Sequence, residues 1–110
     1  RGDDLALGPG LGSIALTKTG AGGIDPVLVD SGLSIRFRHG GEEIRIDGDG
    51  ATRKLKKLLQ EAGVLPWMRD RIPLVFAGET LVAIGDLWVS ADHVADNGFT
   101  IAWRDKPPLH

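Results

Sequence analysis

The fold class is decided by residues 33–62, which read LSIRFRHGGEEIRIDGDGATRKLKKLLQEA. In the first part, Leu33, Ile35 and Phe37 alternate with polar side chains, so apolar residues share one face of a strand. The same period of two resumes at Ile44 after a Gly-rich turn. This pattern predicts a β-hairpin with one buried face and one charged face.

The end of the stretch changes to the helical period. Apolar residues from Leu55 to Ala62 fall at i, i+3, i+4 and i+7, which predicts an amphipathic helix. Thr52 is the expected N-cap residue, and Gly63 is the expected C′ residue. Asp-Gly-Asp-Gly at residues 47–50 is expected to end the preceding strand.

Shorter patterns surround this stretch. The segment 27–29 is too short to assign, and the Gly-rich segment 20–23 is expected to end a strand. Strands are predicted at residues 12–19, 72–77, 80–84, 87–89 and 99–103, with a tail at 106–108. The expected fold class is α+β, with short antiparallel or mixed strands in a barrel-like sheet packed around one main amphipathic helix.

Length and composition limit the class of protein. A chain of 110 residues without a long linker predicts a single domain, 1–110. The absence of cysteine excludes disulfides and Cys-based zinc sites. No apolar run approaches the roughly 20 residues that cross a membrane, and no signal peptide is visible, so a cytoplasmic location is expected. Because the chain begins with Arg1 rather than Met, we expect a piece of a longer protein.

The net charge of −2 conceals an uneven distribution. Residues 33–71 carry nine basic and six acidic side chains, a net charge of +3, whereas the net charge is −2 over residues 1–32 and −3 over residues 72–110. A basic segment in an acidic chain is typical of a polyanion site. A solvated amphipathic helix explains the pattern equally well, so charge alone leaves both interpretations open.

The sequence offers no catalytic constellation. The histidines His39, His93 and His110 lie far apart and lack metal-ligand spacing, so surface roles are expected for them. The Gly-rich stretches match neither the phosphate-loop nor the dinucleotide pattern, and turns are expected there. No catalytic residue, metal site or cofactor is predicted within these residues.

The predicted RNA contacts are the cations of the helix and of two neighbouring segments. Lys and Arg on one side of a helix suit the spacing of RNA phosphates, which they contact without reading sequence. Cations of the predicted hairpin and of the turn after Trp67 can converge with the helix on one groove. The predicted set is Arg36, Arg38, Arg53, Lys54, Lys56, Lys57, Gln60, Arg69 and Arg71.

The three tryptophans are interpreted as core residues. Trp67 is expected to fill the core beneath the helix, with base stacking as the alternative role. Trp88 and Trp103 stand in strand-like contexts, which favours burial for both.

Several motifs, taken in order, resemble one known family. They are Ile35–Glu42 (IRFRHGGE), Leu55–Glu61 (LKKLLQE), Pro66–Leu74 (PWMRDRIPL), the Gly78-Glu79 turn, and Val82–Gly85 (VAIG) followed by Trp88-Val89. Together they resemble the C-terminal domain of bacterial tRNA(Ile)-lysidine synthetase. The resemblance is dense from Leu33 to Val89 and extends back through residues 11–16, whereas the segment after Val89 carries no motif of the family.

The resemblance implies an activity for a longer enzyme rather than for this chain alone. Members of the family use ATP to activate the wobble cytidine of isoleucine tRNA and then attach lysine. ATP and lysine belong to an N-terminal domain with a Ser-Gly-Gly-x-Asp-Ser loop, which this chain lacks. The C-terminal domain is expected to engage the acceptor stem, and the family's basic helix matches Arg53–Lys57. A His often precedes that helix, but Ala51 and Thr52 stand here, so no role for that His carries over.

Two other interpretations stay open. In one, the chain is a protein-interaction or structural domain whose basic helix packs on another domain. In the other it is a stand-alone hydrolase, which lacks a usable nucleophile constellation. The expected partners are isoleucine tRNA and other domains of the same polypeptide, without a membrane, and the sequence does not define the oligomeric state.

Overall fold

The computed structural model describes residues 5–8, 10–19, 22–46 and 50–110. The predicted breaks at Gly20-Ala21 and at residues 47–49 lie outside the described residues. In chain order the strands are β1 (Leu5–Gly8), β2 (Gly12–Lys18), β3 (Gly23–Ile24), β4 (Ser34–Arg36), β5 (Glu43–Ile44), β6 (Arg53–Lys54), β7 (Leu74–Ala77), β8 (Thr80–Ile84), β9 (Trp88–Val89), β10 (Val94–Ala95) and β11 (Phe99–Arg104). The helices are α1 (Pro26–Ser31), α2 (Leu55–Glu61) and the 3₁₀-helices Pro66–Arg71 and Ala91–His93.

The two longest strands, β2 and β11, belong to a five-stranded antiparallel sheet in the order β1-β2-β11-β3-β10. The β2–β11 pair is its centre, with Lys18 opposite Phe99 and Ser13 opposite Arg104. Trp103 of β11 is buried, and its indole N–H donates to the Leu11 carbonyl at 2.7 Å. The strands predicted at 12–19 and 99–103 and the burial of Trp103 are therefore confirmed.

A second sheet has the order β4-β7-β8-β9 and is also antiparallel. The predicted hairpin around Gly78-Glu79 is the β7–β8 pair, and β9 extends the sheet as expected. Strand β7 begins at Leu74, after Pro73, which has no backbone N–H to donate. Trp88 of β9 is partly buried against the core.

The hairpin predicted from residues 33–46 is wrong. Strand β4 pairs with β7, while β5 pairs with β6 in a separate two-stranded sheet. Cross-strand contacts explain the choice, because the Arg36 guanidinium lies over the Phe76 ring of β7 at 4.5 Å. Between β4 and β5 the chain forms a loop whose backbone N–H groups bond to the Glu42 side chain instead of to a facing strand.

One apolar core joins the two larger sheets to α2. The helix contributes Leu55, Leu58 and Leu59, each at most 2% exposed, as its period predicts. Within the described residues no sheet closes on itself, so the expected barrel-like sheet is not observed. The apolar faces are covered by packing between elements, and pairs of only two residues do not extend far enough to close a barrel. The result is a small α+β domain with antiparallel sheets.

Helix α2 (seven residues) is accompanied by α1 (six residues), which the sequence pattern left unassigned. The Asp25 side chain caps α1 by accepting from the Val27 N–H at 3.0 Å, and Pro26 occupies the first helical position. In the part of the chain that the structure describes, no helix has the length and apolar character of a membrane span.

Candidate nucleic-acid interface

A surface groove of about 340 Å³ lies where the loop after β4 meets the start of α2. The residues that line this basic groove are Arg38, Gly40, Gly41, Glu42, Lys54 and Lys56. Three of the predicted cations thus come together here from two separate segments. One carboxylate, that of Glu42, shares the site with them.

Glu42 organises the loop wall of the basic groove. Its carboxylate oxygens accept from the backbone N–H groups of His39 at 2.7 Å and Gly40 at 3.0 Å. Gly40 and Gly41 have φ of +112° and +83°, a region that residues with a Cβ rarely adopt. The loop therefore needs both the acid and the glycines to hold its shape.

The same residue fixes the start of α2. The Leu55 N–H donates to the Glu42 carbonyl at 2.9 Å, which satisfies an N–H that would otherwise need a cap. The predicted N-cap at Thr52 is wrong, because Arg53 and Lys54 pair with β5 and the helix begins only at Leu55. Lys54 is the N-cap residue and makes no capping bond through its side chain.

The end of α2 follows the prediction. Ala62 is the C-cap in the right-handed helical region, and Gly63 follows with φ of +75°. The Val64 N–H returns to the Leu59 carbonyl at 3.1 Å. Gly63 is thus the C′ residue, as expected.

The ionisation of Glu42 depends on opposing effects. Partial burial raises the pKa of its carboxyl, but hydrogen bonds from the N–H groups of His39, Glu42 and Gly40, with the charge of Arg38, outweigh it. The net result is a pKa below the ordinary value of 4.5. The carboxylate therefore stabilises the loop in its charged form.

Glu42→Gln is expected to lower the melting temperature by about 4 °C at pH 7, allowing for solvent screening at this partly exposed site. A lowered folded-state pKa gives stability that is present above 4.5 and is lost as pH falls through the folded value. The difference between wild type and variant should therefore shrink below about pH 4.5 in thermal unfolding followed by circular dichroism. Glu43→Gln, at the exposed neighbouring position, is the matched control, and a pH-independent difference would contradict this account.

Arg36 is the most constrained of the predicted contacts. Its guanidinium donates to both carboxylate oxygens of Glu79, at 3.3 and 3.1 Å, and to the Gly78 carbonyl at 3.1 Å. This hydrogen bonding raises the pKa of Arg36 and lowers the pKa of Glu79. Arg36 lies beside the β7–β8 turn and does not line the basic groove.

Three other predicted arginines also have partners. Arg38 Nε donates to Asp70 at 2.8 Å, which ties the groove to the 3₁₀-helix Pro66–Arg71. Arg53 pairs with Glu61 at 2.6 Å, along α2. Arg69 Nε donates to the Val64 carbonyl at 3.0 Å and so braces the turn before its own helix.

The remaining predicted residues are exposed. Lys54, Lys56, Lys57 and Arg71 have no side-chain ion pair among the described residues, and Gln60 lies on the exposed face of α2. Lys54 and Lys56 line the basic groove, whereas the other three do not. The groove thus combines two free ammonium groups with the partly buried Arg38.

Trp67 is placed differently from the prediction. It is 67% exposed, while the neighbouring Met68 fills the core at 8% exposure. The predicted burial of Trp67 is therefore wrong, and Met68 occupies the position beneath α2. Pro66 is the first residue of the 3₁₀-helix, as expected.

Sequence reasoning missed the residues that shape the groove without carrying positive charge. Glu42 is one of them, and the only sequence signal for it is Gly40-Gly41-Glu42 after a strand, a pattern in which a side chain can bond preceding N–H groups. Asp70 gave no local signal, because its partner Arg38 lies 32 residues away.

The chain matches a known family model over residues 33–103, described as the TilS substrate C-terminal domain. The match includes the segment after Val89, where no family motif was visible. Two relatives are the tRNA(Ile)-lysidine synthases of Shigella flexneri, 43% identical over 102 residues, and Escherichia coli O157:H7, 42% identical over 102 residues. Each alignment covers 91% of this chain, and the chain spans only 23% of the length of each relative.

A solved structure shares the fold. The crystal structure of a TilS C-terminal domain superposes with a TM-score of 0.72 at 24% sequence identity, covering 93% of this chain and 91% of that one. The family match spans both larger sheets in part, α2 and the basic groove. This chain belongs to the family of C-terminal domains of tRNA(Ile)-lysidine synthase.

Proposed function

We propose that residues 1–110 are the C-terminal tRNA-binding domain of an ATP-dependent ligase that converts the wobble cytidine of isoleucine tRNA to lysidine. The domain holds the tRNA, at its acceptor stem, and takes no part in the bond-making steps. ATP and lysine bind in the N-terminal catalytic domain of that enzyme. The relatives' name and their greater length support the assignment of tRNA binding to this domain and of catalysis to another.

The observation that carries the proposal is the pair of free lysines in the basic groove. The chain as a whole is acidic, with a net charge of −2, yet Lys54 and Lys56 line one groove with Arg38. An ammonium group without a carboxylate partner is available to a phosphate, and its contact releases counterions. The predicted arginines with carboxylate partners are less available for this role.

The groove suits a phosphate backbone in shape as well as in charge. A Cβ added at Gly40 or Gly41 would meet no atom within 4 Å, so the loop wall faces open space. A backbone without side chains at these positions lets a phosphate approach closely. The Glu42 carboxylate is occupied by backbone N–H groups, which reduces its repulsion of an anion.

Holding the acceptor stem contributes to the reaction through position alone. When this domain holds the acceptor stem, the other end of the same tRNA has a high effective concentration at the catalytic domain. The affinity of the isolated domain is therefore expected to be modest, with phosphate contacts giving most of it.

The test reverses the charge of both free groove lysines. Lys54→Glu combined with Lys56→Glu is expected to weaken binding of the 110-residue chain to isoleucine tRNA about tenfold or more at 50 mM salt. Losing two phosphate contacts should also reduce the salt dependence of log K by about two. Filter binding or fluorescence anisotropy across salt concentrations measures both quantities.

Lys18→Glu is the control, since it changes the net charge like either single reversal but lies on β2, outside the groove. It should alter the affinity less than twofold, against about threefold for each single groove variant. Unchanged affinity in the double variant would exclude the groove as the contact surface. A wild-type chain that binds no tRNA even at low salt would favour a protein-interaction domain instead.

A further inference from the structure

Trp67 is an exposed aromatic residue that the core does not require. Among the described residues, the exposed large apolar side chains are Trp67, Val27 and Val94, and Trp67 is by far the largest of the three. The phosphate contacts of the proposed function do not use it. An indole of which two thirds faces water is suited to a flat, apolar ligand.

The backbone holds Trp67 outward. Pro66 starts the 3₁₀-helix, and the Met68 N–H donates to the Leu65 carbonyl at 2.8 Å. The Leu65 N–H in turn donates to Leu109 at 2.7 Å, while the side chain of Arg69 bonds to Val64 at 3.0 Å. With Met68 anchored in the core, these bonds hold the backbone at Trp67 in place, so little backbone order has to be gained on binding.

Trp67 also lies on the same side of its helix as the link to the basic groove. In a 3₁₀-helix residues i and i+3 eclipse one another, about 6 Å apart along the axis, which places Trp67 and Asp70 on one side. Asp70 pairs with Arg38, a residue of the groove wall, at 2.8 Å. The indole therefore lies on the side of its helix that is joined to the basic groove through Asp70 and Arg38.

We infer that Trp67 stacks on an unpaired nucleobase of an RNA whose phosphates lie in the basic groove. The inference rests on the proposed function and adds a second kind of contact to it. Charge favours a nucleic acid as the partner of Trp67, because the same 3₁₀-helix carries Arg71. Arg71 is exposed and has no ion pair in the described part of the chain. Stacking tolerates any base, so Trp67 adds affinity for single-stranded nucleotides without reading their sequence.

The test uses two RNA hairpins that differ only in a four-nucleotide single-stranded 3′ tail. Trp67→Ala is expected to weaken binding of the 110-residue chain to the tailed hairpin about tenfold and to leave the blunt hairpin unchanged. Trp67→Phe should keep most of the affinity for the tail. Because Trp67 is exposed, neither variant should shift the melting temperature appreciably, which thermal unfolding checks.

Fluorescence gives an independent measurement. Stacking should quench the emission of wild type when the tailed hairpin is added, and Trp67→Phe should abolish this quenching although Trp88 and Trp103 remain. Equal quenching in Trp67→Phe, or equal affinity of Trp67→Ala for both hairpins, would overturn the inference and leave the groove proposal standing. If wild type binds neither hairpin at low salt, the proposed function itself fails.

A protein partner for Trp67 would give another result. In that case Trp67→Ala would reduce self-association of the chain in sedimentation experiments and leave the affinity for both hairpins unchanged. That outcome would overturn the inference, since the indole would then contact protein rather than a base.

Discussion

Gly12→Ala is expected to destabilise the domain by about 4 kcal/mol, a large fraction of the roughly 5–15 kcal/mol that keeps a small domain folded. Gly12 has φ of +74°, and an added Cβ would overlap the Arg104 carbonyl oxygen and lie 2.7 Å from that of Asp105. Those carbonyls are backbone at the end of β11, so they cannot move without disturbing the β2–β11 register. Urea unfolding followed by circular dichroism measures the change.

Gly10→Ala separates the two causes of that loss. Gly10 has nearly the same φ, +75°, but a Cβ there would meet no atom within 4 Å. It should therefore cost only the conformational penalty of about 1–2 kcal/mol. Equal losses in the two variants would mean that steric contact with β11 plays no part.

The sequence predicted those elements whose side-chain pattern continues over several residues. Helix α2 shows an apolar period that matches its burial, and the strands of the β7–β8 hairpin are apolar runs that are mostly buried. Helix α1 has only six residues and buries one of them, Val29, while Val27 is exposed. So short a helix has too few apolar positions to reveal its period, although an Asp N-cap followed by Pro is typical of a helix start.

Strand pairing was harder to predict than strand position. Alternation in residues 33–38 correctly indicated a strand, but the pattern does not say which strand lies beside it. Arg36 of β4 lies over the Phe76 ring of β7 and donates to Glu79, and these contacts favour the pairing of β4 with β7. Glu79 lies 43 residues away from Arg36 in sequence. Adjacent strands joined by a Gly-rich turn usually pair. Here β4 and β5 do not pair, because the backbone N–H groups of His39 and Gly40 between them bond to the Glu42 carboxylate instead.

Prediction of the candidate site is limited in the same way, because a sequence pattern does not show which distant residues lie beside one another. The basic segment located the cations, and three of them, Arg38, Lys54 and Lys56, line a groove. Which cations are neutralised depends on acids that are distant in sequence, such as Asp70 for Arg38. Trp67 was placed in the core because tryptophan is usually buried, but the adjacent Met68 fills that space and turns the indole outward.

The position of the groove depends on how firmly α2 is held. Leu59→Ala is expected to destabilise the domain by about 3 kcal/mol and to lower its melting temperature by roughly 12–20 °C. Leu59 is fully buried, and its removal leaves a cavity that neighbours such as Leu55 and Leu58 can fill only in part. Thermal unfolding of the 110-residue chain measures the shift.

Gln60→Ala is the matched control, because Gln60 is the next residue of the same helix and is exposed. It should change the free energy of unfolding by less than about 0.5 kcal/mol. At 10 °C most of the Leu59→Ala protein should still be folded and bind tRNA, whereas near its lowered melting temperature binding should fall with the folded fraction. Loss of binding at 10 °C by folded Leu59→Ala protein would mean that α2 shifts locally. The affinity of the groove would then depend on the packing beneath Lys56 as well as on its charge.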